Sequence, residues 1–231
     1  MPVHDELGIR MKTYYESIPK TKLMRRTPVA IRLDGKAFHT FTRGFQKPFD
    51  EVLVKSMQET MKYLCENIQG CVLGYTQSDE ITLILVDYKN LNSAAWFDYE
   101  VQKMCSIVAS MATMAFSKFF EKNVHLKQKH WDDVVHNVYH GFLFDDNITD
   151  YEKNEIKKRN NEEWKQGCPQ LEFYKKSLDK GAMFDARCFN IPKEEVTNLI
   201  YWRQLDATRN SIQMVGQANF SHNELQNKSS L

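Results

Sequence analysis

Apolar residues follow two different patterns along the chain, short runs and a helical repeat. Four short runs are typical of β-strands: Val29–Leu33, Cys71–Thr76, Ile81–Asp87 and Ala182–Ile191. Between the first two runs, Phe49–Ile68 repeats its apolar residues every three or four positions, the period of an amphipathic helix. The pattern therefore predicts strand, helix, strand and strand in this order, with a fourth strand much later in the chain.

Three further segments have a helical pattern. Met1–Met24 is rich in helix formers, Ala94–Phe120 has a broad apolar side, and Lys193–Ala207 follows Pro192. Without the charged stretch at about 122–180, the order becomes βαββαβ, which is the ferredoxin-like arrangement of polymerase palms. We predict an α+β fold with an antiparallel sheet and helices on one face. Residues 1–231 would form a single palm-like domain, with 122–180 as a charged insertion outside the sheet.

Composition narrows the functional classes only slightly. The chain has 31 basic and 30 acidic residues, so it lacks the basic excess common in nucleic-acid binders. Five cysteines without close pairing suit reduced thiols. No apolar run is long enough for a membrane span, and the amino terminus lacks a secretory pattern. We predict a cytoplasmic protein without a membrane segment.

Acidic residues stand where the predicted strands end. Asp34 follows Val29–Leu33 and precedes Gly35, while Asp79 and Glu80 join the second and third strands. In a palm these ends converge, so two acids and the Gly35 carbonyl could bind Mg²⁺ against nucleotide phosphates. This pattern indicates phosphoryl or nucleotidyl transfer. By spacing alone, a plain turn and a solvated hairpin tip explain the same residues equally well.

Candidate phosphate and RNA contacts surround these acids in the sequence. Successive backbone amides from Gly35 to His39 could cradle a triphosphate. Basic partners for phosphate would be Lys36, His39, Lys47 and Lys103, although a single lysine is usually only a solvated charge. Tyr201–Arg203 together with Arg209 could stack on bases and bind phosphates. Helical spacing makes Trp202 an equally good core residue.

Six stretches together resemble the tRNA(His) guanylyltransferase superfamily, whose members are 3′-to-5′ nucleotide polymerases. The two acidic segments are Ile31–His39 and Tyr75–Glu80. The others follow in the same order along the chain: Lys47-Pro48 with Asp50, Trp96-Phe97 with Lys103, Phe184–Arg187, and Trp202–Gln204 with Asp206. Six ordered matches are far more specific than either acidic segment alone.

The resemblance implies a palm that uses two Mg²⁺ ions, takes ATP and GTP as substrates, acts on tRNA and assembles as a homotetramer. By position, Asp34, the Gly35 backbone and Asp79 would bind metal, and Asp34, Asp79 and Glu80 would be catalytic. The implied nucleotide-binding residues are Gly35, Lys36, Ala37, Phe38, His39, Lys47, Ser78 and Lys103. RNA contacts would come from Arg187, Arg203, Arg209 and Asn210.

One departure from the family pattern selects between two reactions. Members that add an untemplated G to tRNA(His) carry His-Ile-Asn-Asn, where this chain has Thr208–Ser211. We therefore predict a nucleotidyltransferase that repairs 5′-truncated tRNA on a template, after activation of the 5′ end by ATP. The alternatives are G addition to tRNA(His), a nucleotidyl cyclase and a non-catalytic RNA-binding module.

Overall fold

A computed structural model describes residues 5–143, 149, 151–155, 158, 168 and 170–226. Its centre is a four-stranded antiparallel sheet in the order β2-β3-β1-β4. The strands are β1 (Val29–Gly35), β2 (Cys71–Gln77), β3 (Glu80–Leu85) and β4 (Phe184–Asn190). This order is the one that a βαββαβ chain forms when each helix crosses behind the sheet, so the predicted fold class is confirmed.

The two helices of the βαββαβ unit cover the same face of this sheet. They are α3 (Glu51–Asn67) and α4 (Val101–Leu143). A Cβ on Gly74 of β2 would collide with the Cys65 side chain of α3, and Cys105 of α4 lies 3.5 Å, Sγ to Sγ, from Cys188 of β4. Gly74 and Cys188 both align through the strand register with Ile31, on a single face.

The opposite face receives a helix that lies outside the βαββαβ unit. After β4, a 3₁₀ turn at Lys193–Glu195 leads into α6 (Val196–Asn219). Leu199 of α6 packs in one buried cluster with Ala30 and Ile84 of the sheet. The sheet is therefore covered on both faces. The prediction of helices on one face was wrong in this respect, because α6 packs on the face that carries the even-numbered residues of β1.

The predicted bounds of the long helix were wrong at both ends. The helix does not begin at Ala94 but at Val101, after a 3₁₀ turn at Trp96–Tyr99. Phe97, Asp98 and Tyr99 of this turn all have positive φ. Backbone bonds from Leu23 to Tyr99 and from Val101 to Thr21 hold this turn against the amino-terminal segment. At the other end the helix continues beyond Phe120 to Leu143, so the predicted insertion begins inside α4.

The chain divides into two compact units. The first combines Met1–Lys36, Thr60–Met114 and Met183–Thr208, and contains the sheet. Its amino-terminal helix α1 (Glu6–Met11) is shorter than predicted and continues as a π-helical turn, Lys12–Glu16. The single-domain interpretation stays a prediction.

The second unit is built around aromatic side chains. It combines Ala37–Glu59, Ala115–Ala182 and Arg209–Leu231, with the short helices α2 (Phe38–Phe41), α5 (Leu171–Lys180) and α7 (His222–Leu225). The six rings in mutual contact are Phe38, Phe41, Phe45, Phe116, Phe120 and Tyr174. Within the described ranges, no helix is long and apolar enough to cross a membrane.

Candidate active site

Three carboxylates form a row across the sheet. Asp34 near the end of β1 is directly opposite Glu80 on β3 and Asp185 on β4. Directly opposed residues point to the same face, with Cβ atoms about 4.5–5.5 Å apart. Sequence reasoning identified Asp34 and Glu80 but gave Asp185 no role. Its alternation with Phe184 and Ala186 was the available signal, but alternation cannot say which strand lies beside it.

Asp79 reaches the same edge through a tight hairpin turn. Ser78 and Asp79 connect β2 to β3 as a two-residue hairpin loop, and Ser78 has a φ of +48°. The tight turns that join hairpin strands use such positive φ values. The Ser78 hydroxyl donates to Asp79 Oδ1 at 3.0 Å. The Gly35 amide donates to the Asp79 carbonyl oxygen at 3.1 Å, which ties the turn to the end of β1. The three predicted metal-binding residues are therefore neighbours.

Negative charge on Asp34 and Asp79 is only partly compensated, because nearby Arg187 and Arg32 lower the pKa of Asp34 less than burial and the other acids raise it. Burial raises the pKa of Asp34, and the charges of Glu80 and Asp185 raise it further. Burial also raises the pKa of Asp79, with smaller contributions from Asp34 and Glu80, while the Ser78 hydroxyl opposes them. In the part of the chain that the structure describes, neither Asp34 nor Asp79 forms an ion pair. A bound cation would relieve this repulsion.

The donor set of Asp34, Asp79 and the Gly35 carbonyl suits Mg²⁺. Among the described residues, no group of three or more His, Cys, Asp or Glu side chains is arranged to hold a metal ion. Mg²⁺ does not need such a group, because it is usually bound by one or two carboxylates together with water and substrate phosphates. Two acids and an oxygen from the backbone therefore fit a cation that arrives with a nucleotide.

Glu80 has a different environment from the other two acids. Arg203 of α6 donates through Nη1 to Glu80 Oε2 at 2.6 Å, and Arg32 Nη2 lies 3.4 Å from the same oxygen. Both guanidinium groups also lie over the Trp202 ring, at 3.7 Å for Arg203 and 5.0 Å for Arg32. The charge of Glu80 is thus balanced inside the protein.

Burial argues against the RNA contact predicted for Arg203. Its side chain is 4 % exposed, and Nη1 also lies 3.4 Å from Asp206 Oδ2. Its buried Nε and the buried Oε1 of Gln77, which pairs with Glu80 in the hairpin, have no hydrogen-bond partner among the described residues. Such orphaned groups each cost about 1–3 kcal/mol, and native proteins keep few of them.

Of the predicted nucleotide-binding residues in the first unit, Lys36, Ser78 and Lys103 are exposed and Gly35 is buried. The amide of Gly35 is bonded to Asp79, and the amide of Lys36 donates to the Met183 carbonyl at 2.9 Å. These two amides are therefore not available to a phosphate. The Lys36 side chain is exposed, Ser78 lies at the turn, and the Lys103 ammonium lies 4.9 Å from the centroid of the Phe97 ring.

The remaining predicted residues belong to the second unit, except for Arg187. Ala37 has a φ of +55° and precedes α2, Phe38 is buried among aromatic rings, and His39 and Lys47 are exposed. Arg209 and Asn210 are exposed on α6. Arg187 on β4 is exposed and pairs with Asp185 at 2.9 Å, Nη2 to Oδ1.

The βαββαβ sheet with acids at the ends of β1 and β3 defines a palm-like protein with a candidate cation site. Residues 9–192 match the family model described as tRNAHis guanylyltransferase. Because this match covers most of the chain, the protein belongs to that family, which confirms the resemblance found in the sequence.

Solved structures and curated relatives agree with the family. A bacterial tRNA(His) guanylyltransferase (Thg1)-like protein in complex with ATP has a TM-score of 0.68 and 36% identity, covering 97% of this chain and 74% of that one. A second such structure, in complex with GTP, has a TM-score of 0.66 and 35% identity over 94% of this chain and 78% of that one. The tRNA(His) guanylyltransferase of Schizosaccharomyces pombe is 31% identical over 97 residues, which are 41% of this chain and 35% of that protein. The chain spans less than half the length of the curated relatives that it matches.

Proposed function

We propose that this chain is a Mg²⁺-dependent nucleotidyltransferase that adds nucleotides to the 5′ end of tRNA. The observation that carries the proposal is the pair Asp34 and Asp79, two partly buried carboxylates without ion-pair partners in the described chain, joined through the Gly35 amide. Family membership supports the reaction class. The ATP and GTP bound to the similar bacterial proteins support these nucleotides as substrates.

Each residue of the site has a physical task in this reaction. Asp34, Asp79 and the Gly35 carbonyl would hold two Mg²⁺ ions, and Glu80 would support this cluster. When bound, Mg²⁺ lowers the pKa of an attacking hydroxyl and neutralises charge on the transferring phosphoryl group. Lys36, Lys103 and Ser78 would contact the triphosphate, together with Ala37, Phe38, His39 and Lys47. The backbone is the part of Phe38 that would serve, because its ring is buried.

The reaction has two steps in this proposal. The 5′-monophosphate first attacks the α-phosphorus of ATP, which releases pyrophosphate and leaves an adenylylated 5′ end. The 3′-hydroxyl of the incoming nucleotide then attacks the 5′ phosphorus of that end and releases AMP. The positive charge of the lysines stabilises the phosphates, and such preorganised charge is typically the largest contribution to catalysis. Exposed Arg187, Arg209 and Asn210 would contact the RNA.

Template-dependent repair of 5′-truncated tRNA is the reaction we favour. The specific observation is Thr208–Ser211 in place of His-Ile-Asn-Asn. Addition of G to tRNA(His) is the second candidate, because a homologous protein of S. pombe has that name. A homotetramer in the cytoplasm is part of the same proposal.

The direct test is extension of a 5′-monophosphorylated tRNA that lacks its first nucleotide. The assay contains Mg²⁺, ATP and each nucleoside triphosphate separately. Incorporation of only the nucleotide that pairs with the opposite acceptor strand would support templated repair. Addition of G whatever the opposing base would replace it with G addition to tRNA(His).

Two controls connect the result to the site. D34N and D79N should abolish extension but retain tRNA binding, whereas D179N should be fully active because Asp179 is an exposed carboxylate on α5. No extension by the wild-type chain would contradict the proposal. Cyclic nucleotide formed without RNA would then identify a cyclase, and Mg²⁺-independent RNA binding alone would identify a binding module.

A further inference from the structure

The acids of the site divide into two electrostatic groups. Asp34 and Asp79 have no ion pair within the described residues, whereas Glu80 Oε2 accepts from Arg203 at 2.6 Å and approaches Arg32 at 3.4 Å. Because Glu80 is directly opposite Asp34 in the sheet, an unpaired Glu80 would place another full negative charge beside the metal-binding acids. The two guanidinium groups offset part of that charge.

Arg203 is held rigidly where it meets Glu80. Its side chain is 4 % exposed, stacks on Trp202 at 3.7 Å and also lies 3.4 Å from Asp206 Oδ2. One turn earlier on α6, Leu199 packs against the sheet. The Arg203 guanidinium keeps little rotational freedom, because it is planar, stacks on the Trp202 ring and contacts two carboxylates. It can therefore fix the position of the Glu80 carboxylate.

We propose that Arg203 is a positioning residue for the active site and acts through Glu80. It holds the Glu80 carboxylate against Arg203 and next to Arg32, and keeps Asp34 and Asp79 as the acids that bind the cation. The inference rests on the proposed function, because it assumes that these two acids bind a divalent cation. It replaces the RNA contact that the sequence indicated for Arg203.

The consequence is an unusual pair of effects in one variant. In R203Q the Glu80 charge is less compensated and the carboxylate is free to turn toward Asp34. Added negative charge at such a distance should tighten binding of a divalent cation about 3- to 10-fold. The cation would then be held in a displaced position, and misplacement on the scale of 1 Å can cost about 100-fold in kcat. Binding should become tighter while the reaction becomes slower.

The experiment measures both quantities on the full chain. The Kd of Mn²⁺ in the presence of ATP is followed by the electron paramagnetic resonance signal of free Mn²⁺, and kcat by extension of the truncated tRNA. The variants are R203Q, R203K, E80Q and E80Q/R203Q. R203K retains the positive charge, so its Mn²⁺ affinity should stay near that of the wild type while kcat falls about 10-fold, since the stacked planar fork is lost.

The double variant separates positioning from packing. If Arg203 acts through Glu80, E80Q/R203Q should lose the tighter Mn²⁺ binding and have the kcat of E80Q alone, because residues that act as a unit are not additive. R25Q is the matched control: Arg25 pairs with Asp87 just past the far end of β3, so its loss should change stability but neither Mn²⁺ affinity nor the kcat of folded protein.

Three results would overturn the inference. These are unchanged Mn²⁺ affinity in R203Q, kcat losses of E80Q and R203Q that multiply, or an R25Q variant that copies R203Q. If R203Q does not fold, R203K and E80Q/R203K decide in the same way, since R203K should add nothing to E80Q. A wild-type chain without tRNA extension would contradict the proposed function, and the Mn²⁺ measurements would still decide the role of Arg203.

Discussion

The two ends of β3 place an aspartate in opposite electrostatic environments. Just past the end of β3, Asp87 is completely buried and accepts from Arg25 Nε at 2.6 Å and from the Arg26 amide at 2.9 Å. Just before the start of β3, Asp79 accepts from the Ser78 hydroxyl and from a backbone amide, and its pKa is raised first of all by burial. Asp87 has an arginine that balances its charge, whereas Asp79 has no ion pair among the residues that the structure describes.

The position of a carboxylate next to a buried strand therefore does not show whether its role is structural or ligand binding. Asp87 and Asp34 both follow apolar β-type runs, and this position alone does not separate them. Their partners do: Arg25 and Arg26 lie about 60 positions before Asp87 in the chain. A charge that the protein neutralises is structural, and one that it leaves exposed to repulsion is available for a ligand.

Removal of the active-site acids should have the largest effect. D34N and D79N should each lower kcat of tRNA extension by about 10²–10³-fold, the loss typical of one electrostatic contact to the transition state. Without divalent cations the thermal midpoint should stay the same or rise, because like-charge repulsion is removed. Activity assays and thermal unfolding in a chelator measure both. A variant that keeps a third of wild-type kcat would contradict the comparison.

Removal of Asp87, at the other end of β3, should lower stability and leave activity unchanged. D87N should lower the free energy of unfolding by about 3 kcal/mol, because a buried, hydrogen-bonded charge is lost from its pair. The kcat per folded molecule should be close to wild type. Urea denaturation and activity measured well below the unfolding midpoint test this. If D87N unfolds no more readily than wild type, Asp87 is not a structural anchor.

Addition of Mg²⁺ should separate the two ends directly. A cation that binds only the folded protein stabilises it by about 2.7 kcal/mol at 100 times its Kd. Wild type and D87N should both gain stability when Mg²⁺ and ATP are added. The D34N/D79N variant should gain stability neither from Mg²⁺ with ATP nor from Mg²⁺ alone. Calorimetric unfolding with and without Mg²⁺ gives the result. An equal gain in all three proteins would place the cation elsewhere.

The smallest effect should be a dependence of stability on pH. The folded-state pKa values of Asp34 and Asp79 are raised, so their charged forms cost stability above these values, and the cost disappears as the pH falls through them. In a chelator, the stability advantage of D34N/D79N over wild type should therefore shrink from pH 7 toward pH 4. The effect is modest because solvent screens partly exposed acids. An advantage that grows at low pH would have the wrong sign.

The fold was largely predictable because its signals are local. Short apolar runs located all four strands within a few residues, and Phe49–Ile68 contained α3. The long helix was the main error. The apolar period of the helix carries no information on the backbone hydrogen bond between Leu23 and Tyr99. Tyr99 belongs to a turn with three positive φ values that no local propensity favours.

The site was predictable for residues whose chemistry shows in one segment. Asp34, Asp79 and Glu80 stood out because acids at strand ends are few and motif-like. The RNA contact of Arg203 stays a prediction, although its side chain is buried beside Glu80. A basic residue beside Trp202 has the same sequence pattern whether it contacts RNA or a partly buried glutamate. Asp185 had no role until the register placed it opposite Asp34.

By itself the sequence determined the order of strands and helices, the family and the acids at one edge of the sheet, because periodicity and short motifs are properties of neighbouring residues. Only the tertiary structure decided which acids are neutralised. Arg203 and Glu80 are 123 positions apart, and Arg25 and Asp87 are 62 apart. Such pairs exist only after the sheet has formed and α6 has packed on it, so the charge that remains for a cation is a property of the folded chain.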